Sequence, residues 1–514
     1  MTGLAPSVGW LDGGSLTASA WHMGVAHPPG EPGWLAPARL AMLLPVGDIA
    51  FRASLLSALS AALCALPLLW LGRAVGGDGG GGLLAVGLAL LGFGARMQAH
   101  RAEVYAPVAL LLVLALAAAV CWRGARASGA IGFLLGAAAG VHPLLAAAAA
   151  PAVLVARWLR SPFGLRDAAA GLGFGVAGFA VYGWLPLRAM ANPSRAWGVP
   201  DSPSRFLDVL LGRTFAANFG GEGAWLDNVL VVAERHALSG LGVAVLLAGA
   251  AWVLRREDSD AAPRRALAVA APLWVVGNAL TILPQNKAFG SNPDVLGYLF
   301  VGTLAVAPLA ALGVARLRSS AVGTSIERLA PALVATGWIG LGVVALDGVR
   351  ASRSGNELPR TFATSLGYGL PPGTLLMTSG NNTAFLWTHL QGVERRRADL
   401  VVVHRVLLGH EHERRRLAPD LSRLGVDWRP ELRANPAPLL AGIPAAIEAR
   451  AAERPSMGSV LTPHGLVWQT SGPPESDALR ELRTETLSRL ADSGDDEAVA
   501  VASWALEFLP RSAP

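Results

Sequence analysis

From residue 51 to about residue 350 the chain alternates long apolar runs with short charged breaks; from 351 to 514 the charge is spread regularly and the long apolar runs stop. Two patterns imply two environments, lipid and then water. A helix needs about 20 apolar residues to cross roughly 30 Å of hydrocarbon, with its backbone bonded internally. Such runs lie at 51–73, 82–98, 104–122, 129–141, 143–157, 167–187, 237–254, 264–284, 295–316 and 328–347, which makes about ten spans. The fourth and fifth are short and flank His142-Pro143, so they read either as two crossings or as a broken pair of half-helices. The glycine-rich stretch 74–81 lacks the lysine and the strand–helix setting of a phosphate loop and reads as a flexible linker. Beyond residue 350 the pattern gives strands at 374–379 and 399–408 and helices near 411–424, 437–453 and 476–509. The expected architecture is an α-helical polytopic membrane protein in three parts. Residues 1–50 form an outside loop with an interfacial helix from Leu35 to Leu44, residues 51–350 form the transmembrane domain, and residues 351–514 form a small soluble α/β domain.

Composition sharpens this picture. Hydrophobic residues make up 53% of the chain and charged residues 15%, against about 25% charged in soluble proteins. The net charge of +6 is carried almost wholly by arginine, Lys287 being the one lysine. A basic balance can signal nucleic acid, but these arginines sit at span ends, so no nucleic-acid partner is expected. Counting loops alternately puts Arg73, then Arg123 and Arg126, then Arg157, Arg160 and Arg166, then Arg255, Arg256, Arg264 and Arg265, then Arg316, Arg318 and Arg328 on one side. That side is the cytoplasm. Trp70, Trp122, Trp158 and Trp252 lie beside these arginines as an interfacial belt would. The opposite side receives residues 1–50, 188–236, 285–294 and the soluble domain. In a bacterium this is the periplasmic face of the inner membrane, and in a eukaryote the lumen of the endoplasmic reticulum. Cys64 and Cys121 lie inside apolar runs, which indicates neither a disulfide framework nor a zinc site. The first 35 residues lack the basic start and apolar core of a signal peptide.

Chemistry is sought in polar residues of the outside loops. The first loop holds Asp12, His22, His27, Glu31, Arg39, Asp48 and Arg52, with His27-Pro28-Pro29-Gly30 as a rigid turn that either stiffens a loop or builds a site. The second holds Arg96, His100, Arg101, Glu103 and Tyr105. A glutamate at the mouth of a span is costly unless it is paired or faces an aqueous cavity, so Glu103 is either a partner of Arg101 or Arg96 or a site residue. His142 stands at the helix break. Arg188 closes the sixth span on the outside, against the charge bias; it snorkels to headgroups or holds a lipid phosphate. The cluster His404, His410 and His412 could suggest a metal, but the His-x-His spacing at 410–412, with many arginines nearby, fits an exposed helix start better, and no chemistry is assigned to the soluble domain beyond acceptor binding.

The stretch LAPSVGWLDGGSLTASAWHMGVAHPPGEPGW (4–34) resembles the start of a membrane family that includes the eukaryotic protein O-mannosyltransferase acting on plexin-type receptor domains, together with many bacterial members. Further similarity lies in GDIAFRASLLSALSAAL (47–63), AEVYAPVALLL (102–112), GAAAGVHPLLA (136–146) and YGWLPLRAMANPSRAWGVPDSPSRFLDVLLGRTF (182–215). SGNNTAFLWTHLQ (379–391) and LTPHGLVWQ (461–469) are fainter matches. The resemblance implies a GT-C glycosyltransferase, which takes a sugar from a polyprenyl-phosphate lipid and passes it to a protein or glycan acceptor on the outer or lumenal side. The family's catalytic carboxylate falls on Asp12, the expected general base. A leaving lipid phosphate needs positive charge; Arg188 is the first choice, then Arg101 and Arg96. His27, Glu103, Tyr105 and His142 are the expected substrate-site residues. No metal ligands are assigned, and a divalent metal stays open as a cofactor.

Two departures stand out. The family's acidic residue three positions after the aspartate is Ser15 here, and a full span that relatives place before the Asp loop is missing, which reads as a misassigned start. A transporter or flippase is the first alternative, although Asn278 is the main polar residue in mid-span. A catalytically degenerate scaffold, motivated by Ser15, is the second.

Overall fold

A computed structural model describes residues 3–191, 196–218, 228–229, 261–283, 294–319, 325–349, 351–430, 445–448, 462–464, 466–469, 475–495, 498–499 and 501–503. The N-terminal segment forms two short helices, α1 (Gly13–His22) and α2 (Pro32–Ala41). Helix α2 starts at Pro32, three residues before the expected interfacial helix, because proline suits a first helical turn. It does not lie flat on the bilayer throughout. Trp34, Leu35 and Ala38 are buried in protein, while Leu40, Leu43 and Leu44 are exposed.

Asp48 then opens the bundle, its carboxylate accepting from the Phe51 N–H as an N-cap. Helices α3 (Ile49–Leu63) and α4 (Ala65–Ala74) run on as one 26-residue apolar stretch. The expected second span is a pair, α5 (Gly79–Leu90) and α6 (Phe93–Ala99), bent by 68° at its break. The glycine linker ends at Asp78, which caps α5 by accepting from the Gly81 N–H. Gly81 belongs to the helix because a larger residue would strike the Ala311 carbonyl. There follow α7 (Tyr105–Cys121), α8 (Gly124–Val141), α9 (Pro143–Arg160), α10 (Leu165–Phe179), α11 (Trp184–Ala191), α12 (Pro203–Leu210), α13 (Ala261–Ile282), α14 (Asp294–Ser319) and α15 (Ser325–Val349). Helices α8 and α9 have 18 residues each, about 27 Å, so His142 separates two helices of spanning length rather than two half-helices. Among the described residues six helices are long and apolar enough to cross a membrane, seven with the bent pair counted as one; α7, at 17 residues, falls just short. The expected span 237–254 lies outside the described residues.

Helices α7 and α14 are the buried centre of the bundle, apolar on nearly every face. Helix α10 is the opposite case: Leu165, Leu172, Phe174 and Val176 are exposed, as a lipid-facing helix requires. It meets α8 through glycine. A Cβ on Gly132 or Gly136 would lie 2.0 or 2.2 Å from the carbonyl oxygens of Gly171 or Gly175, so the backbones touch. Asn278, the polar mid-span residue, donates to the Tyr298 carbonyl at 3.0 Å and ties α13 to α14.

The soluble part contains α16 (Leu358–Leu366), β1 (Leu375–Thr378), α17 (Asn381–Gly392), β2 (Val401–His404), α18 (Glu411–Arg423), β3 (Ala445–Ile447), β4 (Thr462–His464), β5 (Val467–Gln469) and α19 (Asp477–Ala491). The sheet order is β2-β1-β3-β5-β4, with the first three strands parallel and the last two added antiparallel. Both expected strands are present. The helix expected over 437–453 is not what the described residues there form: Ala445–Ile447 pair with β1, so tertiary pairing outweighs the helix propensity of alanine. The helix expected to reach 509 ends at Ala491, and Gly494 turns with a φ of +67°. Val8 and Trp10 enter the core of this domain, Trp10 packing 5.7 Å from Phe362. The segment just before Asp12 is therefore anchored in the soluble domain.

Two outcomes are expected. Gly132→Leu or Gly136→Val should force α8 and α10 apart and destabilise the bundle by roughly 1–3 kcal/mol, read as a lower melting temperature in detergent. Burial works to raise the Glu394 carboxyl, but hydrogen bonds from His389 and Arg360 outweigh it and hold it at about 2. Its contribution, roughly 3 kcal/mol, is complete above the ordinary glutamate value and is lost as pH falls towards 2. Melting curves between pH 6 and 3 should fall more steeply for the wild type than for Glu394→Gln.

Candidate active site

The N-terminal segment is held in place on three sides. Helix α1 lies along α17: the Leu11 N–H donates to Asn382 Oδ1 at 2.7 Å, Thr17 Oγ1 and His389 Nδ1 are 2.9 Å apart, and His22 Nε2 lies 2.9 Å from the Gly392 carbonyl. Gly14 permits this, since a Cβ there would meet the Phe385 carbonyl at 2.3 Å. The turn after α1 pairs Val25 with Ala196 in a single parallel bridge. Helix α2 packs against α8, where Gly33 meets the Gly140 backbone. The Trp34 indole N–H and the Ser57 hydroxyl both donate to the Glu103 carbonyl, at 3.1 and 2.9 Å.

These contacts enclose a cavity of about 590 Å³ between the helix ends and the soluble domain. Asp12, His27, Glu103, Tyr105 and His142 all line it, as do Glu31, Asp294, Tyr298, Asn381, Asn382 and Phe385. The His27 ring is central. Its Nε2 lies 3.3 Å from Asp12 Oδ2 and 3.8 Å from Glu31 Oε1, its Nδ1 lies 3.4 Å from Ser15 Oγ, and its face stacks on Phe385. Ser15, where the resemblance led one to expect an acid, thus stands beside the histidine. Across the cavity, Tyr105, His142 and Tyr298 form a cluster of rings with centroids 5.6–5.7 Å apart. His142 Nδ1 accepts from the Leu145 N–H and caps α9, which leaves Nε2 to donate toward the Tyr298 hydroxyl at 3.5 Å.

The carboxyls differ in charge. Burial would raise Asp12, but the attraction and hydrogen bond of His27, with help from Arg101, hold it below the usual aspartate value. Burial opposes a charged His27, yet Asp12 and Glu31 outweigh it and raise the imidazole to about 10. Burial dominates at Glu31, pushed up to about 8, and at Glu103, pushed well above the ordinary glutamate value despite Arg101. Environments that push neighbouring acids apart are how a site separates a base from its neutral companions.

The three arginines do not line this cavity. Arg188 donates to the carbonyls of Met23 and His22 and stacks on Trp184. It satisfies the open C-terminal end of α1, which gives a structural reason for an arginine that runs against the expected charge bias. Arg101 stands behind the wall, 3.3 Å from Asp294 and 3.8 Å from Glu103. Arg96 lies on α6 against Gly348 of α15. The helix start expected at 410–412 is present, His410 being the N-cap of α18. His404 is buried with Thr378 on one ring nitrogen and Thr388 on the other, and His410 packs on Trp197. Among the described residues no group of three or more His, Cys, Asp and Glu is arranged to hold a metal ion, and the His27 ring fills the space between Asp12 and Glu31. The amides of Asn381 and Asn382 come from the domain to which the sequence assigned no chemistry; their signal was the faint match at 379–391.

Comparison with known proteins now has a geometry to meet. Residues 12–162 match the family model of the protein O-mannosyl-transferase TMEM260 N-terminal domain, a match that begins at Asp12. Protein O-mannosyl-transferase TMEM260 of Mus musculus is 40% identical over 78 residues, 15% of this chain and 11% of that protein, so the similarity spans only a small part of the relative. The crystal structure of ArnT from Cupriavidus metallidurans bound to undecaprenyl phosphate superposes with a TM-score of 0.56 at 14% identity, covering 92% of this chain and 96% of that one. The apo state of the same protein gives 0.54 at 15% identity, with the same coverage. At that identity the likeness establishes the fold. Residues 12–162 thus match the TMEM260-type N-terminal domain, beginning at Asp12, and the chain as a whole shares the fold of ArnT.

Proposed function

We propose that the chain is a membrane glycosyltransferase that moves a sugar from a polyprenyl-phosphate donor to a hydroxyl of a protein or glycan acceptor, on the membrane face away from the cytoplasm. The observation that carries this is the position of Asp12, an ionised carboxylate on the wall of a cavity at one end of the spanning helices. Helices α8 and α9 run about 27 Å from that cavity, at His142, to Arg123 and Arg160 at their far ends. Arginine at the far end supports a cavity on the outer side. A donor with its tail in lipid can reach such a cavity with its phosphate. Mannose as the sugar is supported by the TMEM260-type domain.

The residues divide the work. Asp12 accepts the proton of the acceptor hydroxyl as that oxygen attacks the anomeric carbon and the bond to the donor phosphate breaks. His27 keeps Asp12 ionised. The leaving phosphate, already a weak base, needs donors rather than a strong acid. The N-terminus of α9, with the rings of His142 and Tyr298 beside it, presents a positive helix end to the cavity. This assignment takes the place of Arg188, Arg101 and Arg96.

Asp12→Asn should lower transfer about 10²–10⁴-fold in membranes given labelled undecaprenyl-phosphate mannose; transfer at the wild-type rate would remove Asp12 as the base. His27→Asn removes the attraction that holds Asp12 low and leaves burial to raise it. The acid limb of the pH–rate profile should therefore move to higher pH. An unmoved limb would break the link between the two residues.

A further inference from the structure

The chain reverses between α1 and α2, and Glu31 stands at the reversal. Its φ is +48°, left-handed backbone that a side chain other than glycine seldom adopts. It is wedged between Gly30, at φ +88°, and Pro32, which opens α2. The turn cannot relax easily, because a Cβ on Gly33 would already lie 2.8 Å from the Gly140 carbonyl carbon of α8. Strain of this kind usually secures something. Helix capping is not the reason, since the Glu31 side chain makes no cap hydrogen bond. The His27 contact, at 3.8 Å, is longer than a hydrogen bond. What the strain does secure is position. The carboxyl is 5% exposed, lines the cavity, and keeps Oε2 buried with no hydrogen-bond partner among the described residues. A buried polar atom left unmade is costly unless a ligand completes it.

We propose that Glu31 is a specificity residue whose carboxyl binds a hydroxyl of the sugar carried by the lipid donor. This rests on the transferase reading and adds to it. Burial holds Glu31 near 8, so around neutral pH it is mainly the uncharged acid, which donates one hydrogen bond and accepts another. An alcohol does the same and is its complement. A phosphate only accepts and would have to sit among Asp12, Glu103 and Asp294 on the same walls. Glu31 and Asp12 flank a single imidazole at 3.8 and 3.3 Å, so a sugar ring reacting beside Asp12 lies within reach of Glu31.

The test uses the full chain in lipid nanodiscs, with undecaprenyl-phosphate mannose and glucose and their monodeoxy analogues competing against a labelled donor. Glu31→Gly suits the left-handed backbone and removes the whole side chain, carboxyl included, and it should melt no lower than the wild type. Glu31→Gln keeps a donor and an acceptor. The wild type should bind one deoxy analogue roughly tenfold or more weakly. Glu31→Gly should bind the intact donor equally weakly and no longer distinguish that analogue, while Glu31→Gln stays within a few-fold of the wild type. Three results would overturn the assignment: an unchanged deoxy penalty in Glu31→Gly, a wild type indifferent to every deoxy position (the hydroxyl would then belong to the acceptor), or a marked loss of stability in Glu31→Gly. Should the wild type bind none of these donors, the transferase reading itself fails and this inference falls with it.

Discussion

Acids gathered in a pocket where membrane meets water repel one another and lose their hydration, and they persist only if something compensates. Here the compensation is one imidazole. His27 stands between Asp12 and Glu31, backed by Ser15 and covered by Phe385. Its charge holds Asp12 below the usual aspartate value, while burial pushes Glu31 up to about 8 and raises Glu103 despite Arg101. Were every carboxyl ionised, the wall would have to open to water. The arrangement eases that conflict by separating the protonation states of neighbouring acids, with Arg101 behind the wall assisting the imidazole.

That division depends on geometry supplied from three directions. The segment before Asp12 is fixed by Trp10 in the soluble core. The turn carrying His27 and Glu31 is fixed by glycine contact with α8. The Glu103 backbone is fixed by Trp34 and Ser57. The last two adjoin, since Gly33 and Trp34 are consecutive on α2, and each anchor places one wall of the same cavity.

The sequence carried the membrane architecture well, because apolar runs and arginine-marked ends are direct consequences of the bilayer. It placed Asp12, His27, Glu103, Tyr105 and His142 as candidates, and all five line the cavity. They could be found because each is a polar residue in an otherwise apolar outer loop. The arginines misled for the same reason. Arg188 stands out in the pattern, but its task is to close α1, a need that appears only once a helix end lies nearby. The bend between α5 and α6 and the strand at 445–447 depend on neighbours distant in the chain, and no local pattern records them. Asn381 and Asn382 were hidden because the soluble domain shows no cluster of reactive residues; they matter through where α17 is docked.

The double use of α17 has a consequence for how such a protein can change. One face of the helix completes the hydrophobic interior of the α/β domain through Leu386, Trp387 and Leu390, and the other seats α1 and supplies a wall of the cavity. The domain is therefore no detachable appendage. Trading it for an unrelated one in the course of evolution would uncover Asp12 at the same stroke, so variation in this domain has to gather in its peripheral loops while this single helix stays put.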